Sequence, residues 1–213
     1  MKRTTKTAIL TTIISLLPVL LGLSLYHRLP EQLPTHWGLS GEIDGYSSRP
    51  LAVFGIPILM AALSLLVQFM LEQDPRKRNT PPILKTISCW VFPVLSFILV
   101  PITIFSAMGY QLPVSSIICL IVGILFITTG NYLPKSRQSY TVGIRLPWTL
   151  NSEENWNRTH RLAGRLWVLA GFLFIVNGFC TRWIHTNILL FIGIMILLFV
   201  PTVYSFMLYK KGI

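Results

Sequence analysis

Six apolar runs alternate with short polar connections along the 213 residues: Ala8 to Tyr26, Leu51 to Leu71, Thr86 to Met108, Val114 to Leu133, Leu166 to Thr181 and Asn187 to Leu208. None of the six contains Asp, Glu, Lys or Arg. At about 1.5 Å per residue, a helix of about 20 residues crosses the hydrocarbon core of a bilayer. The pattern predicts an all-α, polytopic membrane protein with six transmembrane helices. Pro18 predicts a kink in the first helix, which a membrane helix tolerates when neighbours take up the freed carbonyl. Gln68, near the far end of the second run, reads as reaching the interface. The fifth run is the shortest. No proline separates it from the polar residues before it, so one helix is expected to start outside the membrane and rise into it.

Two polar connections are longer than the rest. His27 to Pro50 holds three prolines, counting Pro50, with Gly38, Gly41 and Gly45, and reads as a compact loop of turns. Pro134 to Arg165 is the longest polar passage. Within it, Asn151 is placed to cap a helix, with Glu154 at the third following position as in a capping box. Trp156, His160, Ala163 and Trp167 then recur on one helical face, and Arg158, Arg161 and Arg165 on another. Gly143 to Thr149 has no helical period and reads as a fixed loop presenting Arg145 and Trp148, the two residue types that most often anchor protein contacts.

Composition sharpens the class. Only 12% of residues are charged against 53% hydrophobic, with a mean hydropathy of +0.63. Soluble domains average about 25% charged. The formal charge of +11 is a membrane feature here, with no zinc-finger pattern or basic coiled coil to support direct nucleic-acid binding. Cys89, Cys119 and Cys180 are widely spaced in or beside apolar runs, which suits small buried hydrophobes and not a disulfide framework. No CxxC or HExxH occurs, and neither a metal nor a cofactor is implied.

Cation placement gives an orientation. With the N-terminus in the cytoplasm, that side holds Lys2, Arg3, Lys6, Arg76, Lys77, Arg78, Lys85, Lys135, Arg137, Arg145, Arg158, Arg161, Arg165, Lys210 and Lys211. The outer side holds Arg28, Arg49 and Arg182. This asymmetry places both termini and the 134–165 loop inside and the 27–50 loop outside. The glycosylation-type triplet Asn157-Arg158-Thr159 is then on the wrong side to be modified.

Two blocks of residues resemble the SdpI family of bacterial membrane proteins. Leu29-Pro30-Glu31-Gln32-Leu33-Pro34-Thr35-His36-Trp37-Gly38, followed by Gly41, Asp44, Gly45 and Pro50, is similar to a module that precedes many members. Gly130-Asn131-Tyr132, Val142 to Leu150, Glu154-Asn155-Trp156, Thr159-His160-Arg161 and Gly164 are similar to the family's central motif. The resemblance implies an N-terminal module over 1–80, with helices one and two and the outer loop, and an SdpI-like module over 86–213, with helices three to six and the inner loop. It further implies a non-enzymatic protein of the bacterial cell membrane that gives immunity to a secreted, membrane-active peptide toxin. The best-known members also relay the toxin's presence by holding a small winged-helix autorepressor at the membrane. The partner-binding candidates are Asn131, Gly143, Arg145, Pro147, Trp148, Thr149, Trp156, His160 and Arg161. The toxin-facing candidates are Glu31, His36, Trp37 and Asp44. The competing reading is a small transporter or membrane-embedded enzyme, with Asn131, Arg145, Glu154 and His160 around a polar cavity between spans four and five. Against a pump, all seven acids lie in loops or at their edges.

The orientation is checked with alkaline phosphatase, which is active only outside the cytoplasm. A fusion after Ser47 is expected to be active and a fusion after Ser152 inactive; the reverse pattern would invert the assignment.

Overall fold

A computed structural model describes residues 2–38, 41–180 and 187–213, without side-chain detail for 2–4 and 187–192. The expected turn from Arg182 to Thr186 lies outside the described residues. The helices are α1 (Lys2–Leu16), α2 (Pro18–Leu25), α3 (Ile56–Gln73), α4 (Pro82–Ala107), α5 (Val114–Tyr132), α6 (Pro147–Asn151), α7 (Glu153–Cys180) and α8 (Asn187–Lys210). Among the described residues, six helical stretches are long and apolar enough to cross a membrane, counting α1 and α2 as one. Pro18 takes the first position of α2, and Leu17 between the two helices keeps helical dihedrals and its bond to the Ile13 carbonyl. α7 is continuous for 28 residues, from the polar loop into the fifth span.

The residues pack as two units. The first comprises 1–70 and 86–114, the second 71–85 and 115–213. Packing therefore groups the chain differently from the sequence modules, with most of α4 beside the first two spans.

In the first unit the 27–50 segment is more regular than a loop of turns. Strands β1 (Gln32–Trp37) and β2 (Ile43–Ser48) form an antiparallel hairpin. Register irregularities between Pro34 and His36, and between His36 and Trp37, break the strict alternation that would have announced a strand. Pro34 is tolerated because a two-stranded ribbon leaves one edge of each strand unpaired. Leu33 is fully buried and roots the hairpin in a core with Leu29, Ala52, Val53, Val100 and Ile104. Arg49 fastens its base, donating to the Pro30 carbonyl at 3.0 Å and lying over the Tyr26 ring.

Deeper in this unit, helices are joined by small polar side chains. Gln68 does not reach the interface. It is buried and donates to Thr11 Oγ1 at 2.9 Å. Ser64 donates to the Cys89 carbonyl, and Ser96 to the Ser15 carbonyl at 2.7 Å. Such bonds draw helices together in hydrocarbon, where burying apolar surface gives little drive.

In the second unit α5 and α7 meet backbone to backbone. A Cβ on Gly171 would lie 2.6 Å from the Gly123 carbonyl oxygen, and one on Gly164 would lie 2.6 Å from that of Gly130. The relation is reciprocal at both pairs. Gly123 and Gly130, like Gly164, Gly171 and Gly178, are seven residues apart, so one seam runs along both helices. α7 also packs on α8, where buried Asn155 donates to the Ser205 carbonyl at 3.0 Å and accepts from Ser205 Oγ at 2.6 Å.

Leucine at Gly164 or Gly171 must push the helices apart and is expected to cost about 1–3 kcal/mol. Alanine at Gly193, which has nothing within 4 Å, should be neutral. Thermal unfolding in detergent compares them; equal melting temperatures for all three variants would refute the seam.

Candidate functional site

The site is built on the first turns of α7. Trp156, Thr159, His160 and Ala163 have no exposed surface, whereas Arg158, Arg161 and Arg165 face outward. The two faces expected from periodicity are thus present, the aromatic one buried at Trp156, His160 and Ala163 and half-buried at Trp167. The His160 ring stacks on Trp156, with centroids 3.9 Å apart. Its Nδ1–H donates to the Trp156 carbonyl at 2.8 Å, and Nε2 accepts the Ile144 N–H at 2.9 Å. Trp156 Nε1–H donates to the Ser136 carbonyl at 2.9 Å. Two rings on one helix thereby hold two points of the 136–144 segment. Gly143 lies against them with φ of 121°, and a Cβ there would be 2.6 Å from His160 Nε2 and 2.7 Å from the Trp156 ring. Both the angle and the space require glycine.

From there the chain enters α6. Pro147 is at the start of this short helix, where its missing N–H is no loss. Buried Thr149 closes the turn. Its Oγ1 accepts the Leu146 N–H at 2.8 Å and lies 2.8 Å from the Ile144 carbonyl, to which it donates. Gln138 Nε2 donates to the carbonyls of Thr149 and Leu150. The stretch expected as a loop is therefore partly helical, and its irregular part is fixed by side chains. The cap of α7 also differs from expectation. Ser152, not Asn151, accepts the Asn155 N–H at 3.1 Å, because Asn151 ends α6. Glu154 is exposed and pairs with Arg158 at 2.5 Å.

A second clamp comes from the α3–α4 connection. Asp74 is buried, and its carboxylate accepts from Arg76 N–H at 2.7 Å, Ser139 Oγ at 2.7 Å, the Tyr140 and Thr141 N–H groups at 3.0 Å each, and Thr141 Oγ1. Burial by itself raises a carboxyl's pKa. Here the hydrogen bonds from Ser139, Thr141, Arg76 and Tyr140 outweigh it, and the group is held below the usual carboxylate range. Asn79 Nδ2 donates to the Gln138 carbonyl at 2.8 Å, and Arg76 to Gln138 Oε1 at 3.0 Å.

The expected site residues therefore divide. Thr149, Trp156 and His160 are buried, and half-buried Gly143 packs directly on the Trp156 and His160 rings, so these four set the shape of the segment. Arg145, Pro147 and Arg161 are exposed, and Arg145 is steadied by donating to the Tyr140 carbonyl at 2.6 Å. Trp148 is half-buried against Phe206 and Tyr209, beside a cleft of about 520 Å³. Of the four residues of the competing reading, Asn131 is exposed at the end of α5. Arg145 and Glu154 are engaged elsewhere, His160 is buried, and glycine contact fills the space between α5 and α7 along their seam. In the β1–β2 hairpin, His36 Nδ1 lies 2.5 Å from Asp44 Oδ1 on the exposed face, and Trp37 pairs with Ile43. Glu31 is exposed, its carbonyl taking the Arg49 N–H at 2.8 Å.

Sequence reasoning missed Asp74, Gln138 and Asn155. Asp74 carried one signal, as the acid in a short connection otherwise rich in Arg and Lys. Apart from the Arg76 N–H, its donors lie more than 60 residues away, which no local pattern reveals.

Comparison with known proteins finds two family models and a full-length relative. The model of the SdpI/YfhL protein family matches residues 135–205, and that of a domain of unknown function, DUF1648, matches 13–61. The Immunity protein SdpI of Bacillus subtilis (strain 168) is 30% identical over 206 residues, covering 97% of each chain. No solved structure matches.

The Asp74 clamp has a pH signature. A carboxyl depressed in the folded state stabilises above its unfolded pKa, near 4, and that stabilisation is lost as pH falls through the folded pKa. Asp74→Asn is expected to cost roughly 1–3 kcal/mol at pH 7, from the lost charged acceptor. Melting curves of the two proteins should converge under strong acid. A gap that is unchanged between neutral and acid pH would remove Asp74 from the clamp.

Proposed function

As this chain belongs to the SdpI/YfhL protein family, we propose that it is an integral-membrane immunity protein. It protects the cell that carries it against a secreted, membrane-active peptide toxin, and it acts by binding and not by catalysis. The observation that carries this reading is the similarity over 97% of the chain to an immunity protein, in a molecule with six membrane-crossing helices.

Both termini are cytoplasmic in this proposal, which puts the hairpin outside. There a rooted ribbon offers Glu31, Trp37 and the His36–Asp44 pair to an arriving peptide. On the inner side, Arg145, Trp148 and Arg161 form the contact surface for a cytoplasmic winged-helix repressor, held at the membrane when toxin is present. Asn131 and Pro147 border that surface, and Gly143, Thr149, Trp156 and His160 set its shape. Two features support the surface. Its cations are exposed, and its backbone is fixed before any partner arrives, which lowers the ordering cost of binding.

The test is survival. The chain is expressed in a sensitive Gram-positive host and challenged with a secreted membrane-active killing peptide, beside Arg145→Ala and a vector control. The native chain is expected to protect, and Arg145→Ala to insert normally but lose protection or relay at least tenfold, the scale of a lost anchor residue (about 1.4 kcal/mol or more). No protection by a well-inserted native chain would refute the immunity reading. Full protection and relay by Arg145→Ala would refute the motif-centred form of it.

A further inference from the structure

We propose that the basic cleft beside the start of α4 binds the phosphate of an anionic phospholipid headgroup. The cleft, about 350 Å³, is walled by Asn79, Pro81 and Pro82 and carries the side chains of Arg78, Lys135 and Arg137. No acid lines it. Among the described residues the ion pairs are His36–Asp44, Lys77–Glu72 and Arg158–Glu154, so none of the three cations has a carboxylate within 4.0 Å. All three are exposed, and Lys135 Nζ rests 4.5 Å from the Tyr132 ring centroid.

These charges are brought together by the chain and not left to drift. The Arg137 N–H donates to the Asn79 carbonyl at 3.1 Å, and Asn79 Nδ2 donates to the Gln138 carbonyl at 2.8 Å. Thr80 Oγ1 donates to Ser139 Oγ at 3.3 Å, and the two prolines stiffen the wall. Holding three like charges around one cavity is unfavourable until an anion enters. Guanidinium groups match phosphate oxygens with paired donors, and an ammonium adds a point charge.

Position selects the source of the phosphate. The cleft lies where one crossing stretch ends, at Lys135, and another begins, at Pro82. That is headgroup depth. Exposed Ile83, one residue beyond the wall, offers apolar surface to the acyl chains of a lipid whose phosphate is in the cleft. A soluble phosphate uses the cations but not this neighbourhood. Basic pockets at the ends of membrane helices bind anionic headgroups in this way. The inference stands apart from toxin immunity and does not depend on it.

The test uses the purified full chain in detergent, where long-range attraction to a charged bilayer is absent. It is loaded from vesicles of phosphatidylcholine alone or mixed with phosphatidylglycerol, and retained lipid is read by native mass spectrometry. The native chain is expected to retain phosphatidylglycerol in preference to phosphatidylcholine. Each cation near an anionic headgroup is worth about fivefold, so Arg78→Gln/Lys135→Gln/Arg137→Gln predicts a loss on the order of 100-fold. Lys6→Gln/Lys210→Gln/Lys211→Gln removes the same charge from exposed positions elsewhere and is expected to retain the lipid. Equal retention by the two variants, or equal retention of the two lipids by the native chain, would overturn the site. Displacement by glycerol phosphate at concentrations as low as the lipid's own would overturn the lipid in favour of free phosphate.

Discussion

The close approach of α5 and α7 is the constraint from which the arrangement of the 136–149 segment follows. Helices in hydrocarbon gain little from burying apolar side chains against one another, since lipid is equally apolar. Contact must come from packing, and glycine pairs at 123/171 and 130/164 let the backbones touch. The last contact of the seam, Gly164 against Gly130 and Pro134, fixes where the chain leaves α5. Two residues later the Ser136 carbonyl is within reach of the Trp156 indole. The seam thus delivers the 136–149 segment onto the first turns of α7, and the stacked Trp156 and His160 rings take hold of it.

Once delivered, that segment has no helix or sheet of its own until Pro147, and its backbone groups need partners. The structure supplies them from side chains. Asp74 takes the Tyr140 and Thr141 N–H groups, His160 takes that of Ile144, and Thr149 that of Leu146. Residues that read as a recognition motif are largely the framework of a rigid loop, and what the framework presents is Arg145, Arg161 and part of Trp148. The motif is thereby divided between buried residues that set a shape and exposed ones that the shape displays. The same division holds in the β1–β2 hairpin, where Leu33 is the root and the His36–Asp44 pair is displayed.

Much of this was legible in the chain itself. Charge-free runs marked the crossing helices, and the spacing of Trp156, His160 and Ala163 marked the buried face of α7. The hairpin was hidden because its bulges disrupt period-two alternation and its prolines and glycines mimic turns. Asp74 and Gln68 were hidden for a different reason. Their partners, Ser139 to Thr141 and Thr11, are distant in sequence, and a polar residue's bond across the fold leaves no local trace. The heptad spacing of the glycines was visible, but spacing alone does not say which helix answers which.

The central claim is that the 136–149 segment is rigid without regular secondary structure, and amide hydrogen exchange on the full chain in detergent tests it most directly. The N–H groups of Tyr140, Thr141, Ile144 and Leu146 are each bonded to a side chain, and the account predicts that they exchange slowly, like those of neighbouring α7. Fast exchange at all four, with α7 protected, would show a mobile loop and contradict the claim that the motif builds a fixed surface.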